Sequence, residues 1–339
     1  MFKIAKAVSK IRLPPFKGVE SRYKQNETCE SADFSGGTAP TFARSYQILD
    51  KALELRTQRA FNMTGISNCC QTIAITPPND TIAVVLSNVW VNDEYKRLVL
   101  QADGAACHSQ PGQFFNLLCP SEGDHRPFFR RPMSTYKADP VTGQVEFLYK
   151  VTGKGTFGLE TLAERQSLEI LGPLGKGFNL DPNWQHMTIV ARGVGLATLA
   201  PLAEAAHALG IKLTAVLSAR SEKSLLSRER FASLGAEVIS VLDEDGSSSL
   251  ENVEILLRKV IADQGSNALF TCGSKRLTRL LKRLSSELDL AGQVALEQQM
   301  VCGLGMCQCC VDVFEVDGLK IGKRVCLEGP VFDLAEVLE

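Results

Sequence analysis

Near its C-terminus the chain reads Met300-Val301-Cys302-Gly303-Leu304-Gly305-Met306-Cys307-Gln308-Cys309-Cys310, and one more thiol follows at Cys326. Four of these cysteines stand as C-x4-C-x2-C, then fifteen residues, then C. Three thiols in a tight loop and a fourth delivered by a following hairpin can surround a small inorganic cluster. The spacing is similar to plant-type [2Fe-2S] ligation, with a much shorter last gap. Gly303 and Gly305 let the backbone bend round such a cluster and turn N–H groups toward its sulfides. Zinc and a disulfide pair are the competing readings. Zinc usually takes two C-x2-C-like knuckles, and only one half of this set has that form.

Upstream of the cysteines the grammar is α/β. Met187–Ala191, Leu213–Leu217, Ala236–Ser240 and Ala268–Cys272 read as buried strands. Ala197–Leu209, Glu222–Leu234, Leu250–Gln264 and Leu277–Leu288 read as the helices between and after them. This alternation predicts a doubly wound parallel sheet. The region before it differs. Ile82–Leu86, Arg97–Leu100, Gln113–Leu118, Val145–Val151 and Leu168–Gly172 are short β-like runs separated by Gly and Pro, which predicts a small antiparallel β-barrel. Residues 1–80 are poorly patterned, apart from helical spacing over Tyr46–Phe61. The expected domains are an N-terminal extension (1–80), a barrel (81–182), an α/β domain (183–290) and a cysteine module (291–339).

Bulk properties narrow the function. The net charge of −1 gives no reason to expect a nucleic-acid partner. No apolar run approaches the ~20 residues of a membrane span. Eleven cysteines, five of them in the last forty residues, point to metal binding in a reducing compartment rather than a disulfide framework. Cys29, Cys69 and Cys70 lack companion ligands at workable spacing and read as incidental thiols. Residues 1–17 carry five basic side chains and no acid. A transit peptide and a solvated basic arm both fit, and a cytoplasmic arm is the expectation.

Two segments of the barrel suit a dinucleotide such as FAD. In Arg130-Arg131-Pro132-Met133-Ser134, a guanidinium fork matches a phosphate and a nearby hydroxyl reaches a second polar atom. In Gly153-Lys154-Gly155-Thr156, glycines allow backbone N–H groups close to an anion. Either alone is equally a surface turn. The α/β domain opens with Gly193-Val194-Gly195 between strand and helix, where loop N–H groups and the helix dipole suit a pyrophosphate. It lacks a third glycine, so a ligand-free tight turn is the plain alternative. Arg220 ends the second strand where an adenosine ribose would lie. Cys272-Gly273 ends the fourth, where Cys272 either packs on a nicotinamide or is a small buried residue. No paired carboxylates, nucleophile–histidine set or catalytic base stands out, so no catalytic residue is assigned.

The order of these segments resembles the electron transfer subunit of class 1B dihydroorotate dehydrogenase, a branch of the ferredoxin reductase superfamily. The resemblance runs from about Thr81 to the end. It rests on Pro111-Gly112-Gln113-Phe114, Arg131-Pro132-Met133-Ser134, Leu148-Tyr149-Lys150 with Gly155-Thr156, and Gly172–Phe178. It continues through the Gly193-Val194-Gly195 loop, Leu296-Glu297 and Arg324–Phe332. It implies that Arg131–Ser134, Leu148–Lys150 and Gly155-Thr156 hold FAD, with Arg131 on the pyrophosphate and Ser134 near the flavin ring. It implies Cys302, Cys307, Cys310 and Cys326 as ligands of a [2Fe-2S] cluster, NADH as donor, although Arg220 would also suit the 2′-phosphate of NADPH, and a catalytic flavoenzyme of pyrimidine biosynthesis as hetero-oligomeric partner. Cys309 is an added thiol beside Cys310, which is preferred because it keeps the x2 spacing. A reductase feeding an oxygenase and a non-catalytic, cluster-bearing scaffold subunit are the alternatives. Leu304 and Met306 border the expected exit face.

Overall fold

The computed structural model describes residues 78–121 and 127–338. The basic arm, the Tyr46–Phe61 helix and Cys29, Cys69 and Cys70 lie outside the described residues. Seven strands come first: β1 (Asn79–Trp90), β2 (Tyr95–Gln101), β3 (Phe114–Leu117), β4 (Arg131–Ser134), β5 (Lys137–Asp139), β6 (Gln144–Lys150) and β7 (Ser167–Leu174). They form one antiparallel sheet in the order β4-β3-β7-β1-β2-β6-β5. Side chains alternate across each strand, so Ala83, Val85, Phe115, Leu117, Val145, Phe147 and Tyr149 share one buried core. Burying a side chain of the size of Phe147 contributes about 1.5–3 kcal/mol.

One segment departs from the sequence reading. Arg131–Ser134, read as lying between strands, is itself strand β4 and pairs with Phe114–Leu117. Pro132 is tolerated because β4 is an edge strand, where no second neighbour needs the missing N–H. Between β6 and β7, Gly153-Lys154-Gly155-Thr156 leads into α1 (Lys154–Glu160).

The second sheet contains β8 (His186–Arg192), β9 (Lys212–Ala219), β10 (Glu237–Leu242), β11 (Ala268–Cys272) and β12 (Ala291–Ala295), all parallel. Its helices are α2 (Gly195–Ala208), α3 (Arg228–Ser233), α4 (Leu250–Gln264) and α5 (Lys275–Glu287). α2 and α3 pack on one face, while α4 and α5 pack on the other. The helix expected over Glu222–Leu234 is shorter. Ser227 adopts φ +61°, which a continuous right-handed helix cannot contain, so only a 3-10 turn over Glu222–Ser224 precedes α3.

The segment after α5 serves two structures. β12 adds to the parallel sheet, the cysteine loop follows, and β13 (Val311–Val316) and β14 (Leu319–Arg324) form a hairpin. Its turn places Asp317 and Gly318 at positive φ, as Asp-Gly hairpin turns do. A short helix, α6 (Val325–Glu328), carries Cys326, and β15 (Val331–Asp333) returns antiparallel to β12. The final sheet order is β10-β9-β8-β11-β12-β15.

The two sheets lock together. Tyr95 and Leu148 of the first share a core with Met187, Leu196 and Phe270 of the second. Tyr136 Oη lies 3.0 Å from Ser227 Oγ, and Arg230 donates to the Tyr136 carbonyl at 2.9 Å. No described helix is long and apolar enough to cross a membrane.

Candidate cofactor and cluster sites

Strand order in the parallel sheet reverses at β8: the chain winds outward to β9 and β10, then returns to place β11 on the other side. Open sheets bind ligands at such switch points. Here the reversal brings Gly195 and Cys272 together. A Cβ added at Gly195 would lie 2.5 Å from the Cys272 carbonyl oxygen. One added at Gly273, whose φ is +89°, would lie 2.5 Å from the Arg192 carbonyl oxygen. The two loops therefore interlock backbone to backbone, and both glycines are required by close approach.

A cavity of about 210 Å³ opens beside this crossing. The first sheet lines it with Phe114, Pro132, Met133, Ser134 and Leu148, and the α/β domain with Val194, Thr198 and Cys272. Ala295, Glu297, Met300 and Pro330 close it from the cysteine segment. Thr198 donates to Ser134 Oγ at 2.9 Å, so the two domains share a hydrogen bond on the cavity wall. Burial pushes the Cys272 thiol far above its usual range, so it is a neutral, closely packed group. Glu297 keeps an open surface, but that surface looks into the crowded cavity, and desolvation there raises its carboxyl pKa. Thr198 had no motif to reveal it.

The two arginines of the Arg130-Arg131 pair do different things. Arg130 is held by Asp80 at 3.1 Å and Glu169 at 3.2 Å. Arg131 donates to the Phe129 carbonyl at 2.6 Å and has no carboxylate partner among the described residues. Its side chain lies against Gly155, where an added Cβ would meet Arg131 Cγ and Nε at 2.8 Å. Arg131 thus presents a cation beside the first-turn N–H groups of α1, which have no partner inside the helix.

Two predicted positions offer backbone rather than side chain. The Thr156 hydroxyl accepts from Thr152 N at 2.8 Å and Gly153 N at 3.0 Å, so it is spent on folding the turn. Tyr149 is 1% exposed and its hydroxyl donates to Asn88 Oδ1 at 2.9 Å on the core side of β6. Its neighbours Leu148 and Lys150 face the other way. Lys150 pairs with Glu94 at 3.0 Å and lines a second groove with Tyr95, Arg192, Gly193 and Arg220. Arg192 is fixed there by Asp243 at 2.5 Å and Ser218 at 2.9 Å. The Arg192 guanidinium and the Ser248 hydroxyl hold the Asp243 carboxyl at about 2. Arg220 is exposed at the mouth of that groove.

In the cysteine loop, positive φ at Gly303, Gly305 and Gln308 turns the backbone inward. Leu304 N and Cys307 N donate to Cys302 Sγ at 3.3 and 3.5 Å. Burial pushes the Cys302 thiol up, but the N–H groups of Cys307 and Leu304 outweigh it and bring it down to about 7. Cys326 N donates to Cys310 Sγ at 3.4 Å, and both are buried. Burial first, then the neighbouring Cys310, pushes the Cys326 thiol up to about 12. Among the described residues no three Cys, His, Asp or Glu side chains converge on a single ion. The four thiols instead form two pairs, 302 with 307 and 310 with 326. That division suits a two-iron cluster, each iron taking two thiolates. Cys309 is exposed and outside both pairs.

Residues 297–338 match the model of the iron-sulfur cluster binding domain of dihydroorotate dehydrogenase B. The dihydroorotate dehydrogenase B (NAD(+)) electron transfer subunit of Caldanaerobacter subterraneus subsp. tengcongensis is 34% identical over 258 residues, covering 76% of this chain and 97% of its own length. That of Desulforamulus reducens is 32% identical over 229 residues, covering 67% and 86%. Among solved structures, an NADH-dependent reduced ferredoxin-NADP oxidoreductase superposes with TM-score 0.64 at 25% identity, covering 75% of this chain and 88% of that one. A ferredoxin reductase of carbazole 1,9a-dioxygenase superposes with TM-score 0.51 at 18% identity, over 63% of this chain and 67% of that one, a likeness of fold.

Proposed function

The chain belongs to the family of dihydroorotate dehydrogenase B electron transfer subunits, and on that premise we propose that it carries electrons from NADH through FAD and a [2Fe-2S] cluster to a catalytic dihydroorotate dehydrogenase subunit. The observation that carries this is the cavity itself: one space is walled by the curled sheet, the nucleotide sheet and the cysteine segment together. When bound, FAD supplies the exchange between two-electron and one-electron transfer, and the cluster supplies a one-electron outlet.

The chain's own residues bind and orient. Arg131 and the first-turn N–H groups of α1 hold the flavin pyrophosphate. Ser134, fixed by Thr198, offers a hydrogen bond at the flavin ring. Leu148 and Tyr149–Lys150 frame the flavin through one side chain and the β6 backbone. Gly193, Gly195 and Gly273 let the nicotinamide dinucleotide approach the sheet edge, with Arg220 at its adenosine end and Cys272 beneath the nicotinamide. Cys302, Cys307, Cys310 and Cys326 ligate the cluster. Phe114, Met300 and Pro330 keep the cavity dry on the side facing it. Leu304 and Met306 are exposed beside the outer thiol pair and form the face where the partner docks. Residues 81–182 thus form the flavin domain, 183–290 most of the nucleotide domain and 291–339 the cluster module, whose flanks complete the nucleotide sheet. The working compartment is the cytoplasm.

The test is spectroscopic. Purified protein shows flavin absorption and cluster bands, and both bleach with NADH. Mixed with a catalytic dihydroorotate dehydrogenase subunit, it supports NADH-linked interconversion of orotate and dihydroorotate. A colourless protein holding only zinc sinks the reading.

A further inference from the structure

Taking the four-cysteine loop to hold a two-iron cluster, we propose that Asn116 is a positioning residue of the electron path. Its side-chain amide donates a hydrogen bond to the sulfur shell of the cluster, beside Gly303.

The sequence around it is Phe114-Phe115-Asn116-Leu117-Leu118, one amide in an apolar run. Asn116 is 0% exposed, and neither Oδ1 nor Nδ2 has a hydrogen-bond partner among the described residues. Leaving both ends of a buried amide unpaired costs more than an ordinary hydrogen bond returns, so an unpaired amide needs a reason.

Its position supplies one. Phe115 and Leu117 point into the core of the first sheet, so Phe114 and Asn116 share the opposite face of β3. Phe114 lines the cavity and packs in the core that contains Cys310 and Cys326. Asn116 lies further along the same face, directly against the cysteine loop. A Cβ added at Gly303 would lie 2.5 Å from Asn116 Nδ2. Gly303 follows Cys302, whose sulfur already accepts from Leu304 N and Cys307 N. The absence of a side chain at 303 is what lets the amide reach this loop. Sulfide and thiolate are acceptors only, so the NH₂ end of the amide is the one that serves them. Hydrogen bonds to cluster sulfurs favour the reduced form and raise the reduction potential. Asn116 would therefore make the bound cluster a better electron acceptor.

The holoprotein tests this without its partner. In wild type labelled with ¹⁵N on asparagine side chains, pulsed EPR of the NADH-reduced cluster is expected to show an amide nitrogen coupling. Asn116→Leu, of similar volume but without donors, is expected to lose that coupling and to shift the cluster midpoint potential negative. Cluster reduction after mixing with NADH then slows, while flavin reduction keeps its rate. Should N116L fail to retain the cluster, N116V carries the same donor-free comparison in a residue suited to a strand. An amide that is merely buried gives the opposite result: N116L melts at a higher temperature, with potential and spectrum unchanged. That outcome, or wild type without any asparagine coupling, overturns the proposal. A wild type lacking flavin or cluster defeats the functional reading instead, and the two failures are told apart by the unmixed absorption spectrum.

Discussion

Arg131 and Arg130 are chemically identical neighbours, and the structure separates them. Arg130 spends its charge on Asp80 and Glu169. Arg131 has no carboxylate partner among the described residues and lies over Gly155. On the proposed assignment, replacing Arg131 with Ala removes charge-assisted hydrogen bonds to the flavin pyrophosphate. Such bonds contribute about 1.5–3 kcal/mol in a partly buried setting. At 1.4 kcal/mol per decade this is roughly 10- to 100-fold weaker FAD binding. Replacing Arg130 removes two partly exposed ion pairs, about 0–1 kcal/mol of stability each, and leaves flavin affinity alone. The assay is titration of the flavin-free protein with FAD, followed by quenching of flavin fluorescence, with thermal melts of both apo variants as the stability control. Gly155→Ala gives an independent check, since its Cβ displaces Arg131 without touching the charge. It is expected to weaken FAD binding less than R131A but in the same direction. If R130A loses FAD and R131A retains it, the assignment built on ion-pair partners is wrong.

Three further outcomes follow from the geometry. Cys309→Ser retains the visible cluster bands, while Cys310→Ser abolishes them, because only Cys310 is buried against Cys326; the reverse pattern reassigns the third ligand. Gly195→Ala forces its Cβ against the backbone of Cys272 and Gly273, which cannot swing aside. It is expected to destabilise by about 1–3 kcal/mol and to slow NADH-driven flavin reduction at unchanged FAD content, read by melts and stopped flow. His186 is buried between Ser266 Oγ at 2.8 Å and Thr214 Oγ1 at 3.1 Å, and burial lowers its pKa. The unfolded chain then binds a proton that the folded chain refuses, so this contribution is full above about pH 6.5 and is lost as pH falls toward the lowered folded value. Urea unfolding at pH 7.5 and 5.5 measures it, and His186→Gln flattens the difference.

Much of this architecture was legible from local pattern. Leu250–Gln264 and Ala268–Cys272 carry their periodicity within themselves, so helix and strand were bounded to the residue. The cysteine spacing needed no fold to be read, because ligand chemistry restricts it directly. What stayed hidden depended on partners distant in the chain. Arg131–Ser134 has no strand alternation and contains proline; it is a strand because Phe114–Leu117 offers it an edge. Ser227 interrupts the helix expected over Glu222–Leu234: it adopts a left-handed conformation just before α3, at the contact with Tyr136, 91 residues away. Tyr149 and Leu148 are adjacent in sequence yet face opposite sides, and only the pleat of β6 decides which one meets the cavity.

The cysteine loop shows the division most clearly. Sequence alone pointed to an iron-sulfur module in this stretch, through thiol spacing with glycines among the thiols, since spacing and backbone freedom are properties of the chain itself. The tertiary structure decided how the thiols divide: Cys302 with Cys307 outside, Cys310 with Cys326 inside, and Cys309 turned to solvent. It also decided that Asn116, nearly two hundred residues earlier, lies against that loop. Burial and approach across β3 set both, and neither is encoded in any single stretch of the chain.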